Sequence, residues 1–147
     1  MPVIHSIHVA PGSRLPMKPV SSVMAEAGKG LVGDRYHGTR HRHVSVQSLE
    51  SLREGADLLG QEIPAELTRR NITVAESVVP RKPGSIITIG AVKLEVVRIA
   101  APCRLLDDTI GRGAARALHN RAGSICRILE GGVIEVGDCA EWQNREA

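Results

Sequence analysis

Cys103 follows Pro102 directly at the end of a long apolar run, and Arg104 comes next. A cysteine acts as a nucleophile or metal ligand when it is a thiolate, and nearby cations favour that form. Cys103 is therefore our candidate catalytic residue and metal ligand, with Arg104 beside it. The alternative is that Cys103 is a small apolar residue that fills a strand end. We expect the other two cysteines, Cys126 and Cys139, to be buried filler in strands.

A second candidate is the glycine-rich stretch GKGLVGDRYHGTRHRH, residues 28–43. Glycines let backbone N–H groups approach an anion closely, and guanidinium groups bind phosphate with two parallel hydrogen bonds. The arginines here are Arg35, Arg40 and Arg42, and Asp34 is placed to orient one of them. The stretch contains no GxxxxGK[ST] pattern, so P-loop nucleotide chemistry is not expected. An ordinary basic surface loop is the alternative.

Three histidines, His37, His41 and His43, cluster in the same stretch. Such a cluster raises the question of a zinc or iron site. No HExxH pattern accompanies it. We therefore favour hydrogen bonding to an anion over metal binding for these side chains.

Arg69 and Arg70 open a segment, 68–74, that we predict to be a strand. Consecutive residues of a strand point to opposite faces, so one arginine would enter the fold and the other would face solvent. An inward arginine needs a partner, and a bound anion would supply one. A pair of surface charges is the alternative.

Composition narrows the class of protein. The chain has 147 residues, a formal net charge of +3, three cysteines, one Tyr, one Trp and no Phe. A length of this order predicts one domain, residues 1–147. The core must be aliphatic, and the near absence of aromatic side chains argues against base stacking on single-stranded nucleic acid. The charge is too small for a duplex-binding surface. We expect no nucleic-acid partner.

The cysteine count and the hydropathy suggest a cellular setting. Three cysteines without a CxxC pair indicate neither a disulfide framework nor a zinc knuckle. No apolar run is long enough to cross a membrane, and the N-terminus lacks the features of a signal peptide. We therefore expect a cytoplasmic protein with no membrane partner.

The elements that position these residues are mostly strands. We predict strands over 3–10, 20–27, 44–47 and 68–74, and hairpins over 85–101 and 124–136. A helix should begin after the N-cap Ser48 and end at Gly60, and a second helix should span 111–122 after the cap 107–109. The apolar phase of 92–101 flips midway, which indicates a β-bulge. The sum is a mainly β, α+β fold, in the form of a β-barrel or a folded sheet with short helices at its ends.

Several motifs together resemble the MOSC domain family, the domain at the C-terminus of molybdenum cofactor sulfurases. In chain order they are GLVGDRYHG, HVSVQSLESL, RRNITV, PGSIITIGAVKLEVVRIAAPCRLL and GSICRILEGGVIEVGD. The resemblance runs over about residues 28–138 and leaves a polar tail at 141–147. It implies a MOSC-like β-barrel with the cysteine of the PC element at its pocket.

The resemblance also implies roles for particular residues. Cys103 corresponds to the family's cysteine, which ligates molybdenum or carries sulfur. Arg70 and Asn71 match the family's RRN element, whose polar groups line the pocket where the phosphate of the pterin would lie, and the GxxGD element is matched by Gly30, Gly33 and Asp34. The full set of predicted cofactor-binding residues is Gly30, Gly33, Asp34, Arg35, His43, Arg70, Asn71 and Arg104.

The expected function is binding of the molybdenum cofactor (molybdopterin), with Cys103 as metal ligand or sulfur carrier. If the chain is an enzyme, it would be a molybdenum-dependent reductase, that is, an oxidoreductase that acts on N-hydroxylated substrates. If Cys103 carries sulfur instead, the chain would be a sulfur-transfer protein. The small-molecule partner would be the substrate or the cofactor, and an electron-donor or sulfur-donor protein would be required. The alternative is a non-catalytic anion-binding or protein-interaction module with the same fold.

Two departures from the family's pattern affect these expectations. The family often has a glycine shortly after RRN, whereas this chain has Ala75, Glu76 and Ser77, so we expect a local loop change. Only 27 residues precede Gly28, so we expect a minimal stand-alone domain without the additional N-terminal β domain of the amidoxime-reducing relatives. The cofactor would then be held weakly or with the help of a partner.

Overall fold

Short strands make up most of the fold in the computed structural model of the chain, which describes residues 2–13 and 15–143. The strands are β1 (Ile4–Val9), β2 (Lys18–Val20), β3 (Ser22–Glu26), β4 (Gly30–Leu31), β5 (Val44–Ser48), β6 (Ile72–Val74), β7 (Ile86–Ile89), β8 (Val92–Ile99), β9 (Ser124–Glu130), β10 (Gly132–Glu135) and β11 (Ala140–Glu141). The helices are α1 (Leu49–Leu59), α2 (Leu105–Thr109) and α3 (Ala114–Ala117), with a 3₁₀ turn at Ala65–Leu67. The predicted mainly β class is confirmed.

Two sheets contain these strands. The larger has eight strands in the order β11-β7-β8-β9-β5-β6-β1-β2, and the smaller has three in the order β10-β3-β4. Among the described strands only β5 and β6 pair in parallel, so the larger sheet is mixed. The two parallel neighbours place the starts of β5 and β6 at one edge of the sheet, next to the segments that carry the candidate site.

The predicted barrel is not confirmed. The ladder of the larger sheet runs from β11 to β2, and no ladder closes it within the described residues. One isolated bridge, Val3 with Cys139, links the segment before β1 to the segment before β11. The N–H of Ile4 also donates to the carbonyl of Asp138 at 2.8 Å. The sheet is therefore curled, and the segments before β1 and β11 are linked by backbone hydrogen bonds but not by a strand ladder.

The core is aliphatic, as the composition requires, and has two parts. The main cluster lies between the sheets and is built from residues such as Ile7, Leu31, Ile72 and Leu94. The second cluster lies between the helices and the end of the larger sheet. Residues that contribute to the second cluster include Leu52, Ile63, Ala100, Leu106, Leu118 and Ile125. The helices are thus packed on the end of the sheet where Cys103 lies.

Two local predictions are confirmed. Helix α1 begins after Ser48, whose hydroxyl accepts from the N–H of Ser51 at 3.1 Å, and it ends at Gly60, which has φ 77°. In β8 the register against β9 shifts between Val96 and Arg98, where the apolar phase flips. Both features follow from local sequence rules, because caps and bulges depend on a few adjacent residues.

The predicted helix over 111–122 is wrong. The chain instead forms the short α2 and α3, separated by Gly113 at φ 94°. A left-handed residue breaks the helical ladder, so a single helix cannot run through this point. Asp107 bridges the two pieces, because its Oδ1 accepts from the N–H of Ala115 at 3.0 Å.

The predicted hairpin over 124–136 is also wrong. Strand β10 pairs with β3, with Val133 opposite Met24, and therefore leaves the larger sheet. Gly131 and Gly132, a pair that is typical of a two-residue hairpin turn, have another role here. A Cβ at Gly131 would lie 2.6 Å from the carbonyl oxygen of Ala25, so the glycine permits the close passage of the chain across β3.

The strand predicted over 68–74 is shorter than expected. Strand β6 begins at Ile72, so neither Arg69 nor Arg70 belongs to it. Arg69 has φ 63°, a left-handed conformation in which the alternation of strand faces does not apply. No helix in the described part of the chain is long and apolar enough to span a bilayer.

Candidate functional site

Cys103 lies in the loop between β8 and α2 and is exposed. Its carbonyl oxygen accepts from the N–H of Leu106 at 3.0 Å, which fixes the start of α2. Extending the strand phase past Pro102 would have pointed this thiol inward, but β8 already ends at Ile99. The loop therefore presents the sulfur at the surface, where a ligand or a reagent reaches it.

Arg70 holds the segment that leads to Cys103. Its Nη2 donates to the carbonyl of Ala101 at 2.7 Å and its Nε to the carbonyl of Ala122 at 2.9 Å. The side chain is buried, and burial, together with the nearby Arg42, lowers its pKa to about 10 against the opposing effect of Cys103. Arg70 is thus a buried cation that ties two loops together by their carbonyls.

Arg69 precedes Arg70 in the chain and has a left-handed backbone conformation. Its Nη1 donates to the carbonyl of Leu15 at 2.8 Å, while its Nη2 is buried and has no hydrogen-bond partner. Burial lowers the pKa of Arg69, and Arg35 lowers it again, whereas Cys103 raises it. Cys103 therefore lies within electrostatic reach of both Arg69 and Arg70.

Two further guanidinium groups stack on Tyr36. The Cζ atom of Arg35 lies 4.6 Å from the centre of the Tyr36 ring, and that of Arg42 lies 4.3 Å from it. The Nε of Arg42 is buried without a hydrogen-bond partner. Cation–π contacts of this kind fix a guanidinium without using its N–H donors. The donors of these arginines stay available to a ligand.

We call these residues, Arg35, Tyr36, Arg42, Arg69 and Arg70, the arginine cluster. Within residues 2–13 and 15–143, none of its four arginines forms an ion pair with a carboxylate. Like charges repel, and the pKa of Arg70 is lowered in part by Arg42. Asp34 offsets part of the charge on Arg69, but a group of four arginines without an ion-pair partner in the described residues, beside an exposed thiol, favours an anionic ligand.

Behind the cluster lies a set of fully hydrogen-bonded groups, which we call the polar hub: Asp34, Ser45 and Asn71. The Oδ1 of Asp34 accepts from the N–H of Ala10 at 3.0 Å and from the Nδ2 of Asn71 at 3.2 Å, and its Oδ2 accepts from the N–H of Tyr36 at 3.3 Å. Asp34 thus holds the glycine-rich loop against the end of β1.

Asn71 connects the hub to β5. Its Oδ1 accepts from the N–H of Ser45 at 3.0 Å, and its Nδ2 also donates to the carbonyl of His8 at 3.0 Å. Asn71 and Asp34 are both buried. Their polar atoms are engaged with protein groups, so in this structure they position the loop that carries Arg35 and Tyr36.

His43, like Asp34 and Asn71, has its side-chain polar atoms hydrogen-bonded to protein groups. Its Nε2 donates to the carbonyl of Thr39 at 3.0 Å, and its Nδ1 accepts from the N–H of Ile128 at 2.8 Å. This pattern fits the neutral ring, because a protonated Nδ1 would face the N–H of Ile128. Burial lowers the pKa of His43, which the Thr39 bond opposes, and His41 and Arg127 lower it further.

The predicted glycines shape the loop. Gly30 has φ 138°, and a Cβ there would lie 3.1 Å from the Cα of His37, so the loop folds closely on itself. Gly33 has φ 90°, which suits the turn before Asp34. Arg104 is exposed beside Cys103. Contact of these three residues with a ligand stays a prediction.

The other histidines and cysteines are separate from the cluster. The Nε2 of His37 lies 2.5 Å from the Oε1 of Glu26. No group of three or more His, Cys, Asp and Glu side chains is gathered for metal binding within the described residues, so the three-histidine site is not found there. Cys126 is buried, which raises its pKa to about 12 and confirms the filler prediction, whereas Cys139 is exposed and contradicts it.

Sequence reasoning missed Tyr36. The chain contains one tyrosine, and it follows Arg35 directly. In a sequence without phenylalanine, a single tyrosine among arginines was a signal for cation–π stacking. Arg42 and Arg69 were weighed for anion binding but not selected, because the unpartnered nitrogen atoms are visible only in the folded structure.

The fold and the site together define a mainly β domain that presents an exposed cysteine beside a group of arginines. The sequence profile of the MOSC domain matches residues 33–141. Because this match covers more than half of the 147 residues, the chain belongs to the MOSC domain family. No curated protein sequence matches the chain.

Solved structures share this fold. The YuaD protein from Bacillus subtilis has a TM-score of 0.86 and 20% identity, with 99% of this chain and 98% of that one covered. The YiiM protein from Geobacillus stearothermophilus has a TM-score of 0.75 and 18% identity, covering 99% and 76%. YiiM from Escherichia coli has a TM-score of 0.69 and 16% identity, covering 100% and 72%. At these identities the likeness concerns the fold.

Proposed function

We propose that the chain binds the molybdenum cofactor at the arginine cluster, with Cys103 as metal ligand or sulfur carrier. Membership of the MOSC family supports the proposal, because the family is associated with this cofactor. The observation that carries it is the pair of buried, unpartnered nitrogen atoms, Arg42 Nε and Arg69 Nη2, near an exposed thiol. A buried donor without a partner costs about 1–3 kcal/mol, and a bound anion would remove this cost.

The residues present fit the chemical groups of this cofactor. Its pterin carries a phosphate, and guanidinium groups bind phosphate oxygens with short, charge-assisted hydrogen bonds. Arg42 and Arg69 would hold the phosphate end, with Arg35 completing the positive field. A thiolate is a soft ligand, and Cys103 is exposed to provide one. The bound cofactor would supply the oxygen-atom and electron transfer needed by a molybdenum-dependent reductase.

This chain's own residues would bind the cofactor and orient it. Arg70 positions the Cys103 loop through the carbonyls of Ala101 and Ala122. The polar hub fixes the loop that presents Arg35 and Tyr36. An N-hydroxylated compound is the substrate we propose for a reductase, with electrons from a partner protein. In the sulfur-transfer version the partner protein would donate sulfur to Cys103.

The test is the molybdenum and pterin content of the protein purified from a host that makes the cofactor. We expect both to be present in near-equal amounts with the wild-type protein. Cys103→Ala should lose molybdenum, and the double variant Arg42→Gln with Arg69→Gln should lose pterin as well. Arg112→Gln is the matched control, because Arg112 is exposed and lies outside the cluster. Equal loss in this control would contradict the proposal.

A wild-type protein that contains neither molybdenum nor pterin would exclude the cofactor under these conditions. The unpartnered nitrogen atoms themselves require only an oxyanion, which favours a non-catalytic anion-binding module as the second candidate. That module would bind phosphate through Arg42 and Arg69 and would keep its affinity in Cys103→Ala. A phosphate titration of Cys103→Ala and of the double variant Arg42→Gln with Arg69→Gln tests for this module, because only the double variant should then lose phosphate affinity.

A further inference from the structure

Tyr36 is the only tyrosine of the chain, and hydrogen bonds on both sides fix its backbone. Its N–H donates to the Oδ2 of Asp34 at 3.3 Å, and its carbonyl accepts from the N–H of Thr39 at 3.1 Å. The hydroxyl of Thr39 lies 2.8 Å from this carbonyl and 2.9 Å from that of Arg42. The loop therefore sets the positions of Tyr36 and Arg42 relative to each other without a ligand.

The ring of Tyr36 is held as well as its backbone. The guanidinium groups of Arg35 and Arg42 lie over it, with their Cζ atoms 4.6 Å and 4.3 Å from its centre. A tyrosine side chain has only two torsion angles, so two cation–π contacts leave the ring little freedom. These contacts therefore bring the hydroxyl to a fixed place in the arginine cluster.

The hydroxyl of Tyr36 has no hydrogen-bond partner within residues 2–13 and 15–143, whereas the N–H and the carbonyl of the same residue are both engaged. The side chain is half-buried, and its oxygen is not enclosed by protein. A phenol O–H can donate one hydrogen bond and can also accept. The protein thus fixes this group in position and leaves its hydrogen-bonding capacity to a ligand.

Tyr36 and Cys103 act on the same two guanidinium groups. Burial has the largest influence on the pKa values of Arg69 and Arg70 and lowers both, while Cys103 and Tyr36 each raise them. The Tyr36 oxygen therefore lies within electrostatic reach of Arg69, whose Nη2 is buried without a partner. Arg42, whose Nε is also buried without a partner, stacks on the Tyr36 ring itself. The three unused donors are thus gathered in one region, near the thiol.

We propose that the Tyr36 hydroxyl donates a hydrogen bond to the oxyanion that Arg42 and Arg69 bind. This inference rests on the proposed anion binding at the arginine cluster and adds a ligand-contacting residue to it. A phosphate group offers three strong acceptor oxygens, so it accepts from the phenol and from both arginines at once. A neutral donor also adds a hydrogen bond without adding another positive charge to cations that already repel one another.

The first test uses the single tyrosine as a probe. Tyrosine labelled with ¹³C at Cζ gives one carbon NMR signal in this protein, because Tyr36 is the only tyrosine. Inorganic phosphate should shift this signal saturably, with the same midpoint as the amide shifts of residues 35–42. Saturable amide shifts with an unmoved Cζ signal would overturn the inference and leave the anion site standing. No saturable shift anywhere in the protein would overturn the anion site and this inference with it.

The second test removes the hydroxyl. Tyr36→Phe keeps the ring on which Arg35 and Arg42 stack, and it should weaken phosphate binding about ten-fold, the value of one hydrogen bond to a charged group. Tyr36→Leu also removes the stacking and should weaken binding further. Ser22→Ala is the matched control, because it removes an exposed hydroxyl outside the cluster. Equal phosphate affinities in Tyr36→Phe and Ser22→Ala would show that the hydroxyl does not contact the anion.

Discussion

The polar hub and the arginine cluster lie side by side and are built from similar material, yet they differ in how their polar atoms are satisfied. In the hub, Asp34, Ser45 and Asn71 meet one another or backbone groups at every side-chain oxygen and nitrogen. In the cluster, Arg42 Nε and Arg69 Nη2 are buried and meet no partner. The hydrogen bonds of the hub are all made within the protein, whereas the cluster has buried donors that no protein group accepts.

This difference indicates which region stabilises the fold and which region is available to bind a ligand. Satisfied buried groups contribute about 1 kcal/mol per hydrogen bond to the fold, while an unsatisfied one subtracts from it. The hub therefore stabilises the domain, and the cluster is held in place at some cost to stability. Such a cost is typical of sites prepared for a ligand. The predictions that follow test whether the two regions separate in this way.

Asn71→Ala gives the largest expected effect. It removes the acceptor of Ser45 and the donor to His8 and Asp34, and it leaves these buried groups without partners. We expect a loss of about 3 kcal/mol in the free energy of unfolding, measured by urea denaturation. Arg42→Gln should change the same quantity by no more than about 1 kcal/mol, because it loses only a cation–π contact.

The comparison fails if these two values are reversed. A large loss with Arg42→Gln would mean that the cluster supports the fold as the hub does. The m-value should be the same in both variants, since neither substitution is expected to alter the surface exposed on unfolding.

His43 sharpens the comparison through pH. Its folded pKa is lowered from 6.5, chiefly by burial, so the unfolded chain binds the proton more readily. Its contribution to stability is therefore complete above about pH 6.5 and is lost as the pH falls below that value. His43→Ala should cost about 2 kcal/mol at about pH 7.5, because it removes two buried hydrogen bonds.

The same variant should cost less at about pH 5, where the wild-type protein has itself lost this contribution. His5→Ala is the control, because His5 is exposed. A constant cost for His43→Ala at both pH values would show that the ring does not change its protonation preference on folding. Unfolding curves at several pH values provide the measurement.

Local rules predicted the parts of the fold that depend on neighbouring residues. The cap of α1 at Ser48 and its end at Gly60 follow from side-chain chemistry within one turn. The bulge in β8 follows from the change of apolar phase at Val96. Cys103 was identified as the residue of interest by its position after Pro102, and the structure shows that it is exposed and within electrostatic reach of Arg69 and Arg70.

Longer-range contacts decided the parts that sequence reasoning missed. Strand β10 pairs with β3, more than one hundred residues away in the chain, and nothing in the Gly131 and Gly132 pair indicates that partner. The left-handed turn at Arg69 is set by its surroundings and broke the predicted strand alternation. The stacking on Tyr36 likewise brings together two arginines from different parts of a loop.

The smallest expected effect concerns the two exposed thiols. Cys103 lies in the field of Arg69 and Arg70, whereas Cys139 follows Asp138 in the chain. A positive field attracts a negatively charged reagent and has no such effect on a neutral one. The ratio of iodoacetate to iodoacetamide reactivity should therefore be about three-fold higher at Cys103 than at Cys139 at low salt. Arg69→Gln should reduce this ratio, Arg112→Gln should not, and high salt should abolish it. Equal ratios at both thiols would show that the cluster's charge does not reach the sulfur, so that the cluster and Cys103 would have to be treated as separate sites.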